Sequence, residues 1–319
     1  MTQNYLSAND IQDIELLAQE VLEIKKNPFH WKELGVNKTL VLIFLNSSLR
    51  TRLSTQKAAQ NLGMNTIVLN LGQDSWNMEF EDGAVMNGST AEHIKEGASV
   101  ISQYADIIAL RSFPTLTDRS YDYEETVLNQ FIQNITVPLV NMESATVHPL
   151  QSLTDLATIR EFYPKKRPKV VLTWAPHIRS LPQCVSNSFA EWMNRADVDF
   201  VITNPEGYDL APKFVGDAPI IRNQEEAFQN ADIIYAKNWS SYEQYGQILK
   251  DDFDWMITKE KMALTNQAKF MHCLPVRRNV VVSDSVLDSD YSIVIQQAAN
   301  REWAAQAVLK RILENKLSL

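Results

Sequence analysis

Thr39-Leu40-Val41-Leu42-Ile43-Phe44-Leu45, followed at once by Asn46-Ser47-Ser48-Leu49-Arg50-Thr51-Arg52, decides the fold. The first seven residues form an unbroken apolar run, the texture of a parallel strand covered on both faces. The next seven break into hydroxyl and guanidinium groups and start a helix at about Thr51. A buried strand that turns straight into a helix aims free backbone N–H groups and the positive end of a helix dipole at one point. Such a point holds an anion, and a phosphate above all. An ordinary cap on a surface helix would explain Ser48 or Thr51, but not two arginines beside a strand end.

The same alternation recurs on both sides of residue 150. Thr66 to Leu69, Asp106 to Leu110 and Pro138 to Val140 complete a first series of short strands between helical patterns. Lys169 to Trp174, Asp199 to Thr203, Asp232 to Ala236 and Lys269 to Leu274 form a second. The expected fold class is α/β, with two domains that each carry a parallel sheet flanked by helices. Thr146 to Gln151 leads into a helix with Leu153, Leu156, Ile159 and Phe162 at helical spacing, a connector between the domains. The expected division is therefore 1–149 and 150–299. From Asn300 to Leu317, Ala304, Val308 and Ile312 share one line, with Ala305, Leu309 and Leu313 beside them. This amphipathic helix, at about 300–319, is expected to pack back on the first domain.

Composition narrows the function. A chain of 319 residues with 45% hydrophobic content can build two cores. Its net charge of -9 opposes general attraction to nucleic acid or acidic membranes, so the ligand is expected to be small. No apolar run reaches the roughly 18 to 20 residues of a membrane span, and Met1 to Asp10 lacks the pattern of a secretory leader. Cys184 and Cys273 are too few for a disulfide framework, and the expected location is the cytoplasm. The five histidines lack metal-ligand spacing, and neither a Gly-x-Gly-x-x-Gly nor a Walker motif occurs, so no metal or cofactor is expected.

In open α/β sheets the ligand sits beyond the C-terminal ends of the strands. In the first series those ends carry Ser48, Leu49, Arg50 and Thr51, then Arg111, then Glu143 followed closely by His148 and Gln151. In the second they carry His177 and Arg179, then Lys237, then His272-Cys273-Leu274-Pro275 with Arg277 and Arg278. Cationic groups dominate, as binding a small dianion requires.

These residues resemble the transcarbamylase family. Ser48-Leu49-Arg50-Thr51-Arg52 is similar to its Ser-x-Arg-Thr-Arg motif, His148-Pro149-Leu150-Gln151 to His-Pro-x-Gln, and His272-Cys273-Leu274-Pro275 to the His-Cys-Leu-Pro of the ornithine branch. The likeness is closest to the branch that acts on N-acylated ornithines, through Asn46 to Arg52, Trp76, the Glu143 region, Lys237-Asn238-Trp239 and His272 to Asn279. It implies carbamoyl transfer from carbamoyl phosphate to the δ-amine of an N-acylornithine, in arginine biosynthesis. Carbamoyl phosphate would be held by Ser48, Leu49, Arg50, Thr51, Trp76, Arg111, His148, Gln151 and Leu274. Arg111, His148 and Cys273 would be catalytic, Cys273 by contact rather than by covalent attack. Arg301 would brace the domain interface, and the Leu274-Pro275 peptide would be cis.

The second substrate would meet Glu143, His177, Arg179, Lys237, Arg278 and Ala91. An exposed basic pair is the alternative for Arg277 and Arg278 together; of the two only Arg278 is assigned to substrate, and whether Arg277 is structural stays open. The Asp-x-x-x-Ser-Met-Gly type loop that binds a free α-amino group in ornithine enzymes has no counterpart here, and Tyr235-Ala236-Lys237-Asn238-Trp239 stands instead. An acylated amine carries no charge, and a lysine suits a substrate carboxylate. Two residues before His93 the branch carries glutamate in acetyl-specific members and proline in succinyl-specific ones. Ala91 matches neither, but it brings no charge against a second carboxylate and leaves room for the longer acyl group, which favours succinyl. Trp76 implies a homotrimer with shared sites, since in this branch the tryptophan reaches the neighbouring subunit's carbamoyl phosphate. The alternatives are an acetylornithine enzyme and a non-catalytic anion sensor, and a sensor needs no carbonyl-activating set such as Arg111, His148 and Cys273.

Overall fold

Two groups of apolar strands, each too hydrophobic to face water, assemble into two parallel sheets in the computed structural model, which describes residues 3–164, 167–249 and 252–317. Met1, Thr2, Ser318 and Leu319, parts of segments discussed above, lie outside them. The first sheet contains β1 (Thr39–Phe44) and β2 (Asn65–Asn70). A small flap pairs β3 (Met78–Glu79) with β4 (Glu92–His93), and the sheet resumes with β5 (Ile107–Arg111) and β6 (Leu139–Glu143). Its order is β2-β1-β5-β6. The second sheet contains β7 (Lys169–Trp174), β8 (Asp199–Thr203), β9 (Ile220–Ile221), β10 (Ile233–Lys237) and β11 (Lys269–Met271), in the order β11-β10-β7-β8-β9.

Each order reverses direction once. In the first sheet the chain runs from β1 out to β2 and then returns to the other side of β1, so a crevice opens between the C-terminal ends of β1 and β5. Phe44 is there in register with Arg111. In the second sheet the reversal falls between β7 and β10, where Trp174 is in register with Lys237. The β5–β6 ladder slips between Leu110 and Arg111, so that Leu110 pairs with Asn141 but Arg111 pairs with Glu143. That slip sets a carboxylate beside the arginine at the crevice.

Three helices hold the sheets in place: α1 (Ile14–Lys26), the connector helix (Pro149–Phe162) and the C-terminal helix (Val294–Leu313). In the connector, residues 149–160 are buried on every side. It lies against α1, the C-terminal helix and the helix Cys184–Met193, which leaves no solvent face. Its two threonine hydroxyls bond within the helix, Thr154 Oγ1 donating to the Leu150 carbonyl and Thr158 Oγ1 to the Thr154 carbonyl, each at 2.7 Å. Arg160, also buried, donates to Glu15 on α1.

The C-terminal helix starts six residues earlier than the sequence pattern suggests. Its first turns carry exposed Ile295 and buried Gln297, a mixture set by tertiary contacts rather than by periodicity. It packs on α1, the connector and α2 (Arg50–Asn61). The strand expected from Lys269 to Leu274 ends at Met271, since the His272 N–H goes to Gln297 Oε1 and Leu274 has a left-handed φ of 56°. Strands β3, β4 and β9 are two residues each, too short for periodicity to reveal. Because Leu156 is fully buried at the centre of the connector, Leu156→Ala is expected to lower stability by about 2–5 kcal/mol. Urea unfolding measures this.

Candidate active site

The two crevices face one another across a cavity of about 550 Å³. From the first sheet, Ser48, Arg50 and Thr51 reach it at the start of α2, with Arg111 at the end of β5 and Glu143 at the end of β6. His148 and Gln151 join from the start of the connector, where Pro149 occupies the first helical turn. From the second sheet come His177 and Arg179 after β7, Lys237 at the end of β10, and Cys273 and Leu274 after β11. Arg301 enters from the C-terminal helix. Most of the residues singled out by sequence therefore meet in one place.

Four do not. Arg278 is half-exposed and bound by Asp284 at 2.8 Å and Asp288 at 2.7 Å, outside the cavity wall. Arg277 lines the cavity instead. Leu49 is 67% exposed, so only its backbone faces the cradle. Trp76 is 57% exposed, with its indole Nε1 donating to Glu92 Oε2 at 2.7 Å. Ala91 is also exposed, and its N–H donates to the Asn77 carbonyl at 3.3 Å. Trp76 and Ala91 thus belong to one flap, built by the β3–β4 pairing and standing apart from this chain's own cavity.

Sequence reasoning missed the Leu181-Pro182 turn and Cys184 and Val185 behind it, which also line the wall. Their only sequence signal is position, after His177 and Arg179 beyond a strand end. It also missed Phe113, whose ring lies 4.1 Å from the Arg111 guanidinium carbon.

The start of α2 opens uncapped into the cavity. Leu49 holds the N-cap position and no side chain caps the helix, which excludes the ordinary-cap reading of Ser48 or Thr51. The first-turn N–H groups thus remain for a ligand. Arg52 turns away, donating to Asn70 Oδ1 at 3.0 Å. Burial lowers the Arg50 pKa, an effect that nearby Cys273 opposes and Arg111 reinforces.

Arg111 is held from three sides. Its Nε donates to Glu143 Oε2 at 3.0 Å, and its Nη1 donates to the Asn46 carbonyl at 3.0 Å and the Ser47 carbonyl at 2.8 Å. Burial opposes ionisation of Glu143, but the facing guanidinium charges of Arg111 and Arg301 and the Cys184 hydrogen bond outweigh it and keep the carboxyl below its usual range. Cys184 Sγ donates to its other oxygen at 3.3 Å. Burial depresses His148 to about 3, so the ring is neutral near pH 7 and its 3.6 Å approach to Glu143 is not an ion pair.

On the opposite wall, Arg277 Nε donates to His177 Nε2 at 3.1 Å. That lone pair must be free, so the proton sits on Nδ1, which donates to the Arg179 carbonyl at 3.0 Å. Burial also lowers the His177 pKa, and the surrounding cations add to it. Burial raises the Cys273 pKa, leaving a thiol rather than a thiolate at neutral pH. The Leu274-Pro275 peptide is cis, as the family resemblance implied. The Leu274 N–H donates to His272 Nδ1 at 2.8 Å, so its carbonyl is what it can offer a ligand. Among the described residues no cluster of histidine, cysteine and acidic groups could hold a metal ion, and no helix is long and apolar enough to cross a membrane.

This arrangement suits a small dianion with a polarisable carbonyl next to a second, anionic substrate. The profile of the aspartate/ornithine carbamoyltransferase carbamoyl-P binding domain matches residues 1–161, and that of the Asp/Orn binding domain matches residues 182–312. N-succinylornithine carbamoyltransferase of Bacteroides thetaiotaomicron is 56% identical over 312 residues, covering 97% of this chain and 98% of its own. N-acetylornithine carbamoyltransferase of Xylella fastidiosa is 37% identical over 293 residues, 85% of this chain and 87% of its own. Among solved structures, an N-acetyl-L-ornithine transcarbamylase with one glutamate changed to alanine, complexed with carbamyl phosphate and N-succinyl-L-norvaline, superposes with a TM-score of 0.90. It is 33% identical and covers 97% of this chain and 99% of that chain. With both profiles spanning most of its length and its cavity at the meeting of the two, the chain belongs to the aspartate/ornithine carbamoyltransferase family.

Proposed function

We propose that this chain transfers the carbamoyl group of carbamoyl phosphate to the δ-amine of N-succinyl-L-ornithine, giving N-succinyl-L-citrulline and phosphate in arginine biosynthesis. The observation that carries the reading is the uncapped start of α2, opening into the same cavity as Arg50, Arg111, His148 and Gln151. There the phosphate lies on the helix N–H groups, Ser48, Thr51 and Arg50, and these contacts strengthen as phosphate departs with added negative charge. Arg111 and neutral His148 donate to the carbamoyl oxygen. Losing one such donor costs about 3–4 kcal/mol in barrier.

The amine nitrogen forms the new bond to the carbamoyl carbon, the carbon–oxygen bond to phosphate breaks, and the amine's surplus proton leaves on the phosphate. An amine with an ordinary pKa of about 10.4 must first lose a proton, and cationic walls favour its neutral form. The Leu274 carbonyl and the Cys273 thiol orient it. A protonated thiol has no need to attack, because the amine does so directly. Lys237, which is 9% exposed, and Arg277 receive substrate carboxylates, with His177 and Arg179 beside them.

The succinyl preference is supported by the 56% identical relative of that name. It is also supported by the acetylornithine relative whose glutamate-to-alanine form was solved with N-succinyl-L-norvaline, since the family resemblance equates that glutamate with Ala91. The flap that carries Trp76 and Ala91 outside this chain's cavity supports a homotrimer in which each flap completes a neighbour's site. Residues 1–149 with the C-terminal helix then form the carbamoyl phosphate domain and 150–299 the acylornithine domain. Two free thiols, Cys184 and Cys273, suit a reducing cytoplasm.

Given carbamoyl phosphate with ornithine, acetylornithine or succinylornithine in turn, the protein is expected to release phosphate fastest with succinylornithine. Release with ornithine alone overturns the acylated-substrate reading. In the same assay Ala91→Glu is expected to shift preference toward acetylornithine by at least about tenfold, as a carboxylate facing a carboxylate demands. For the shared site, inactive Trp76→Ala and Arg111→Ala proteins, mixed after mild dissociation and reassembled, are expected to regain activity. No regain places Trp76 in its own subunit's site or in none.

A pH effect follows from His148, whose folded pKa of about 3 lies below its unfolded value near 6.5. Its contribution to stability is complete above the unfolded value and declines as pH falls through the window between the two. Moving from pH 7 to pH 5 is expected to cost about 2 kcal/mol through this residue. Urea unfolding at the two pH values measures it, and His148→Gln is expected to show a correspondingly smaller loss.

A further inference from the structure

Beneath the anion end of the cavity a polar cluster runs back from the wall residues Gln151 and Arg301 to Asp155 of the connector helix, which is fully buried and outside the wall. Its Oδ1 accepts hydrogen bonds from Gln151 Nε2 and from Gln297 Nε2, each at 2.7 Å. An oxygen of this kind only accepts, so both side-chain amides must turn their nitrogens toward it. Their oxygens therefore point outward. Gln151 Oε1 accepts from Arg301 Nη1, and Gln297 Oε1 accepts from the His272 N–H at 3.0 Å. Arg301 Nη2 continues the chain to Thr51 Oγ1 at 2.7 Å, inside the phosphate cradle.

A reversed Gln151 would set its NH2 group against the Arg301 guanidinium, donor facing donor. The carboxylate forbids that arrangement. We propose that Asp155 is a positioning residue for carbamoyl transfer, fixing the amide polarity of Gln151 and, through Arg301 and Thr51, the geometry of the carbamoyl phosphate end of the cavity. The inference rests on the carbamoyl-transfer reading above. Burial pushes the Asp155 carboxyl up to about 7, and the protonated acid still accepts through Oδ1, so the polarity persists across neutral pH. The Tyr235 hydroxyl lies beside both Asp155 and Cys273, on the side of the second substrate.

Steady-state kinetics on Asp155→Asn and Asp155→Leu test this. Asparagine keeps a carbonyl oxygen, whereas leucine fills a similar volume and offers none. The asparagine variant is expected to hold its KM for carbamoyl phosphate within about threefold, and the leucine variant to raise it about tenfold or more, with the KM for acylornithine changed less than about threefold. An unchanged KM for carbamoyl phosphate in Asp155→Leu, equal damage in both variants, or a joint rise in both KM values overturns the role. Turnover by the unmodified protein decides the carbamoyl-transfer reading separately.

A second comparison needs no leucine variant. Gln151→Glu puts two acceptors face to face, and adding Asp155→Asn supplies the missing donor. The double variant is therefore expected to have a lower KM for carbamoyl phosphate than Gln151→Glu alone, and equal values overturn the inference.

Discussion

Like charges gathered around one small cavity repel one another, and this site collects Arg50, Arg111, Lys237, Arg277 and Arg301. The rest of the structure depends on how that repulsion is contained before any substrate arrives. Glu143 is the main counter-charge, buried beside Arg111 at 3.0 Å. Losing one partner of a buried pair strands the other charge, so the pair holds together as a unit. Acceptors that carry no full charge add further restraint: main-chain carbonyls for Arg111, an imidazole for Arg277, and a glutamine and a threonine for Arg301. Restraint of this kind positions a cation without neutralising it, and leaves its field for an incoming anion.

Topology brings those charges together. A parallel sheet opens a crevice where its strand order reverses, and this chain has two such sheets, turned so that the crevices share one cavity. The connector and C-terminal helices are the common floor. Their buried polar side chains Gln151, Asp155, Gln297 and Arg301 link to one another, and Asn300 joins the two helices separately through Thr158. Those bonds fix the side chains of the floor relative to one another, while the flap of Trp76 stays at the surface.

Electrostatics also assigns protonation. Burial keeps His148 neutral and Cys273 a thiol. A neutral imidazole can donate to a carbonyl without adding a further positive charge to a crowded site, and a thiol can contact an amine without capturing the carbamoyl group.

Much of this was legible in the residues. Continuous apolar runs such as Thr39 to Leu45 identified the sheets, because a strand covered on both faces needs no polar side. The polar residues just after those runs identified the site, because strand ends are where α/β sheets open. What the residues could not show were relations across space. Arg277 and Arg278 are neighbours of one chemistry, and only the folded chain reveals that Asp284 and Asp288 claim Arg278 and leave Arg277 for the cavity. The connector's apolar spacing showed a helix between domains, but not that three helices close around it. Nothing in periodicity separates a polar residue facing water from one facing another polar residue. The amino-acid sequence by itself determined the α/β class, the strand ends and the chemistry placed on them, since those follow from local pattern. Only the tertiary structure decided which cation is free, which way each amide points and which side of the cavity wall Trp76 occupies, since those depend on partners distant along the chain.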